Sequence, residues 1–142
     1  MRFSNTLTIR RPAGEVFAYL ARFENLPRWN YAISETRKLS AGPVGVGSRY
    51  LQVRSVPRPS EETFEVTEFE PDRRLVLRGG FGPLSGAATY ELEPTADGTR
   101  LTNTMDLEPS TAALRVVAPL ATRRVRAAVA ANLRTLKGVL EG

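Results

Sequence analysis

The sequence contains no cysteine and no histidine. The first absence excludes a disulfide, a thiolate nucleophile and any Cys-based metal site. The second removes the usual general base at neutral pH and the commonest metal ligand. Ser/His/Asp, Cys/His and zinc chemistries therefore lack the side chains they run on. No apolar run of signal-peptide length opens the chain, and none approaches the ~20 apolar residues that span a bilayer. A soluble, cytoplasmic protein without cofactor or metal is the expectation.

Charge is plentiful but scattered. Twenty Lys and Arg against fifteen Asp and Glu give a net +5. Such a balance can serve nucleic acid or anionic membranes. Here the cations interleave with acids except at Arg123-Arg124 and Arg126, and stacking aromatics are not grouped beside them. A solvated helix face is the simpler reading, and no nucleic-acid partner is expected. At 142 residues the chain reads as one domain, 1–142, with enough length for a real core.

The one long segment with helical periodicity is Ser110 to Leu140. Turning 100° per residue from Val125, the residues Leu114, Ala118, Ala121, Val129, Asn132, Leu136 and Leu140 fall within about 60° of it. Arg123, Arg126, Arg134 and Lys137 fall on the far side. Ser110 is the expected N-cap, and Gly138 and Gly142 weaken the end. Pro119 predicts a kink or a break. Ala118, Ala121 and Ala128 either bring the helix close to a sheet or leave room for a ligand.

The rest reads as strands and turns. Arg2 to Arg10 alternates, with Phe3, Leu7 and Ile9 on one face. Pro12 starts a short helix carrying Val16, Phe17 and Leu20, and Glu24 to Trp29 is a second short helix or turn. Strands are expected at 32–39, 48–56, 62–70, 74–78, 87–93 and 99–108. Phe69 is out of phase with Phe64 and Val66, which predicts a bulge or strand end near Glu68. Gly79 to Pro83 reads as a flexible loop running up to Gly86, and Asp97-Gly98 is a hairpin signal. Consecutive strands joined by short turns imply an antiparallel meander, covered on its apolar face by the long helix. The inner face of the third strand stays open, because Arg49/Leu51/Val53 competes with Tyr50/Gln52. The glycines of 42–47 precede a strand and lack the P-loop lysine, so they do not form a phosphate cradle. Glu68, Glu70 and Asp72 cluster at a turn, where carboxylates are usually solvated.

Several segments in this order resemble the polyketide cyclase/dehydrase and lipid-transport family of the START-like (SRPBCC) superfamily, the helix-grip proteins related to the birch pollen allergen. They are Ile9-x-x-Pro12-x-x-x-Val16-Phe17-x-x-Leu20, Leu26-Pro27-Arg28-Trp29, Gly42 to Tyr50, Thr63 to Pro71, Thr89 to Pro94 and Asn132-Leu133-x-x-Leu136-Lys137-x-x-Leu140-Glu141. The resemblance covers nearly the whole chain. It implies an α+β helix-grip fold: a seven-stranded curved antiparallel sheet around a long C-terminal helix, with two short helices between strands 1 and 2. It also implies a cavity between sheet and helix for an apolar or aromatic small molecule. The entrance would be lined by loops at 56–60, 79–86 and 108–110. Aromatase/cyclase members commonly place a histidine in that cavity, and this chain has none.

Asn5, Asn103 and Asn132 fall in phase with apolar neighbours on three elements. In the family arrangement the first and last strands are neighbours, which sets Asn5 beside Asn103 and beneath Asn132. Either these amides anchor a ligand in an apolar pocket, or they satisfy one another, the backbone or a trapped water. Trp29 resembles the family's loop tryptophan. Tyr90 and Met105 face inward by phase and line either core or cavity. Phe81 is either a lid residue or part of an ordinary hairpin loop. The candidate ligand-binding set is Asn5, Trp29, Phe81, Tyr90, Asn103, Met105, Leu114 and Asn132, and no catalytic residue is identified. The leading function is binding or carrying a small hydrophobic ligand, lipid-like or aromatic. The alternatives are a cyclase/dehydratase-type enzyme without a histidine base and a protein-interaction module using the sheet or the Arg123/Arg124/Arg126 face. A homodimer stays open.

Overall fold

A computed structural model describes all 142 residues apart from the side chain of Ala118, whose expected place on the inner stripe lies outside the described residues. The chain runs β1 (Arg2–Ile9), α1 (Ala13–Ala21), a 3₁₀ turn (Phe23–Asn25), α2 (Leu26–Trp29), β2 (Ile33–Lys38), β3 (Arg49–Arg54), β4 (Ser60–Glu70), β5 (Arg74–Phe81), β6 (Leu84–Thr95), β7 (Gly98–Pro109) and α3 (Ala112–Glu141). The strands form one antiparallel sheet in the order β1-β7-β6-β5-β4-β3-β2. Six strands follow each other as a meander. β1 closes the far edge against β7, so that Asn5 pairs with Asn103.

Each local feature has a residue-level cause. α1 turns Val16, Phe17, Leu20 and Ala21 inward, as helical spacing requires. β4 slips register between Val66 and Glu68. This bulge brings Phe69 against Phe17, edge to face at 5.2 Å. On β3 the open question resolves toward Tyr50 and Gln52, both buried. Tyr50 stacks on Phe64 at 5.2 Å and meets Phe23 edge-on at 4.7 Å.

Two expectations are corrected. The glycines of 79–86 are mostly strand: β5 continues to Phe81, β6 begins at Leu84, and the turn is only Gly82-Pro83. The reason is close approach between strands. A Cβ on Gly79 would lie 2.2 Å from the Thr63 carbonyl oxygen, and one on Gly86 2.1 Å from that of Asp106. The second correction is the cap of α3. Thr111, not Ser110, accepts from the Leu114 N–H. The Ser110 hydroxyl instead donates to the Pro83 carbonyl, which ties the helix start to the β5–β6 turn. α3 continues unbroken through Pro119.

The helix is sealed unevenly. Leu133 and Leu136 are 1% and 0% exposed, whereas Leu114, Ala121, Val125 and Val129 on the inner stripe stay half-buried. Glu141 fastens the sealed end. Its carboxylate accepts from the Arg10 amide at 2.8 Å and from Lys137 Nζ at 2.6 Å, and that same ammonium donates to the Thr8 carbonyl.

Candidate functional site

Between the sheet and the middle of α3 lies a cavity of about 300 Å³. Its walls are Phe81, Leu84, Met105 and Leu107 from the sheet, Val125, Ala128 and Val129 from α3, and Val56 and Pro57 from the β3–β4 loop. An inner chamber of about 60 Å³ adjoins it, lined by Trp29, Phe64, Leu77, Tyr90, Asn103 and Leu133 among others. Asn30, Arg54, Phe81, Met105, Val129 and Asn132 border both spaces. The lining is mainly apolar with a few placed polar groups, as small-molecule sites usually are.

The polar groups are held in place. Glu62 sits at the head of β4, opposite Gln52 in the register. One of its oxygens accepts from Gln52 Nε2 at 2.7 Å and from Arg54 Nε and Nη2 at 2.9 and 2.7 Å. The other accepts from the Gly82 amide at 2.7 Å. A carboxylate this buried is tolerable because four donors replace its water. Arg54 Nη1 has no acceptor among the described residues, so it remains as a donor at the junction of the two chambers. Asn132 accepts from the Tyr31 amide through Oδ1, and its Nδ2 is likewise unengaged. Asn103 donates from Nδ2 to the Thr89 carbonyl at 3.2 Å, which leaves Oδ1 buried without a partner.

Tyr50 and Tyr90 stay neutral. Burial, with Glu24 nearby, pushes the Tyr50 hydroxyl up to about 12, and burial alone raises Tyr90 well above the ordinary phenol value. Tyr90 also meets Trp29 edge to face at 6.4 Å.

Of the residues singled out from sequence, Phe81, Met105 and Asn132 border both chambers, and Trp29, Tyr90 and Asn103 line the inner one. Asn5 and Leu114 line neither. Asn5 is drawn to the sheet edge, where its Nδ2 donates to the Arg126 carbonyl at 3.3 Å. Leu114 precedes Val125, the first cavity-lining residue of α3, by about 16 Å of helix. Sequence reasoning missed Arg54, Gln52, Glu62 and Asn30. The available signal was the β3–β4 hairpin itself, which sets Gln52 across from Glu62.

A hollow of about 710 Å³ beside the β4–β5 turn is larger, but charged residues dominate its rim. There Arg74 pairs with Glu68 and Glu91, and Arg100 with Glu93. It is a solvated surface groove and not a pocket for an apolar ligand.

Known proteins resemble this chain along its whole length. The family model described as polyketide cyclase / dehydrase and lipid transport matches residues 1–141. The Zhui aromatase/cyclase from Streptomyces sp. R1128 superposes with a TM-score of 0.79 at 15% identity, covering 99% of this chain and 93% of that one. The di-domain ARO/CYC StfQ from the steffimycin biosynthetic pathway gives 0.78 at 16% identity, covering 99% of this chain, which spans half of that protein. Ara h 8.0201 gives 0.71 at 14% identity, covering 99% of this chain and 97% of that one. No curated protein sequence matches the chain. At these identities the likenesses speak for the fold, the Bet v 1-like helix grip. Among the described residues no helix is long and apolar enough to cross a membrane. The match over 1–141 identifies the chain as a member of the polyketide cyclase / dehydrase and lipid transport family.

Proposed function

We propose that this protein binds a small apolar molecule of one or two rings in the space between sheet and α3. The observation that carries the reading is the cavity of about 300 Å³, apolar in its walls and polar at its junction with the inner chamber. That volume is at the low end for small-molecule sites, which supports a ring-sized ligand over a two-chain lipid. Apolar burial drives binding at about 25 cal/mol per Å². Arg54 Nη1 and Asn132 Nδ2 orient a carbonyl, carboxylate or phenolate oxygen. The sole tryptophan, Trp29, lines the inner chamber and reports on occupancy. Titration with naphthalene-sized aromatics is expected to shift Trp29 emission saturably, and native mass spectrometry of protein made in cells to show a bound small molecule. Flat titrations across an aromatic library, with protein that is empty whenever isolated, would contradict the reading.

A second reading is favoured by Arg54 itself. A guanidinium with a free N–H in an apolar cavity can polarise a ketone and stabilise the enolate oxygen that forms from it. Held in a folded conformation, a poly-β-ketone would then cyclise by proximity without a histidine base: the acidic methylene between two carbonyls loses its proton to water, the enolate carbon bonds to a second ketone carbon, and that ketone's oxygen takes a proton back from water. Accelerated ring closure of such a substrate, lost on Arg54→Met, supports this reading; an unchanged rate with wild-type protein rejects it.

A further inference from the structure

Asn103, which borders the inner chamber, carries a polar atom that the protein leaves unused. Asn103 is 1% exposed, and its Oδ1 has no hydrogen-bond partner among the described residues. The orientation of the amide is dictated by its neighbour. The Thr89 carbonyl can only accept, so Asn103 must turn its NH₂ toward it, at 3.2 Å, and its oxygen away. Tyr90 faces Asn103 across the β6–β7 pair, yet its hydroxyl does not engage that oxygen. An unpaired buried acceptor is costly, and native proteins rarely keep one without a use. The chamber beside it measures about 60 Å³, room for a hydroxyl group and not for a further ring system. It shares six bordering residues with the outer cavity, so a ring held there can reach it with a substituent.

We infer that Asn103 makes the site selective for ligands that carry a hydroxyl on their leading edge, with the O–H donated to Asn103 Oδ1 inside the small chamber. The inference rests on the binding function proposed above and sharpens it to a ligand class: hydroxylated aromatics over the parent hydrocarbons and over their ethers. The polarity of the site is ordered. Arg54 and Asn132 supply donors where the two spaces meet, and Asn103, which borders only the inner one, supplies an acceptor. An ether oxygen or a ketone there meets Asn103 oxygen to oxygen and gains nothing.

The test is a matched series, naphthalene, 2-naphthol and 2-methoxynaphthalene, titrated into the wild-type protein and into Asn103→Leu, with Trp29 emission and calorimetry as readouts. Wild-type protein is expected to bind 2-naphthol about tenfold more tightly than either aprotic probe. In Asn103→Leu the ratio of 2-naphthol to naphthalene affinity falls to near unity. A preference that survives in Asn103→Leu places the selectivity at Arg54 or Asn132 and overturns the inference. Equal wild-type affinities for 2-naphthol and naphthalene overturn it as well, and assign Oδ1 to trapped water. If none of the three probes binds, the cavity reading fails first and the inference with it. Should Asn103→Leu not fold, the wild-type contrast between 2-naphthol and its methyl ether decides, since only the naphthol donates.

Discussion

The middle and the last turns of α3 carry the same apolar stripe to different ends. Toward the C-terminus, Leu133 and Leu136 are sealed and Glu141 lashes the last turn to Thr8 and Arg10. Toward the middle, Val125 and Val129 remain half-buried because what lies beneath them is the cavity of about 300 Å³. The last turns of the helix are core and the middle turns are roof. A helix-grip protein can keep a hollow interior because the docked end supplies the attachment. The roof turns then need only apolar lining.

The contrast breaks first at Leu136. Leu136→Ala is expected to cost about 2–5 kcal/mol, read as a lower melting temperature and denaturant midpoint. Val125→Ala, on the same stripe above the cavity, is expected to cost under about 1 kcal/mol, since little packing surrounds it. Equal losses at both positions would mean that the roof is packed like the core. The next effect is Arg54→Met, which removes the cation and leaves the buried Glu62 carboxylate with only Gln52 Nε2 and the Gly82 amide as donors. It is expected to cost roughly 3 kcal/mol, with part recovered by adding Glu62→Gln. A smaller effect on stability but a large one on binding is expected from Ala128→Phe. The ring fills the outer cavity, so affinity for aromatic probes falls at least tenfold while melting changes little.

The last prediction concerns acid. Lys137, with the Arg10 amide, holds the Glu141 carboxylate at about 2, below the usual carboxylate range. A depressed folded value means the contribution is complete above the ordinary carboxylate pKa. It is lost as pH falls from there through about 2. Protection factors for amides in the last turn of α3 and at Arg10, corrected for the intrinsic pH dependence of exchange, are therefore expected to fall over that window. Glu141→Gln should exchange faster at neutral pH and show no such step.

Much of this architecture was legible in the sequence because it rests on local signals. Strand alternation, the Asp97-Gly98 turn and the phase slip at Phe69 follow from period and order, and the pairing of Asn5 with Asn103 follows from the family arrangement. What stayed hidden depended on partners distant in sequence. Gly79 and Gly86 look like loop residues until the backbones of Thr63 and Asp106 are seen pressing on them. Arg54 reads as a surface charge, and only Glu62 across the hairpin makes its burial tolerable. Leu114 fits the stripe by angle, but angle says nothing of how far along the helix the cavity begins. Thr111 displaced Ser110 as cap because Ser110 found Pro83.

The most direct measurement is a crystal structure of the protein grown with a two-ring aromatic phenol. The account predicts ring density between Phe81, Met105 and Val129, with the hydroxyl in hydrogen-bonding range of Asn103 Oδ1. Density showing that space filled by the protein's own side chains, with the middle of α3 settled onto Leu84 and Leu107, would contradict it.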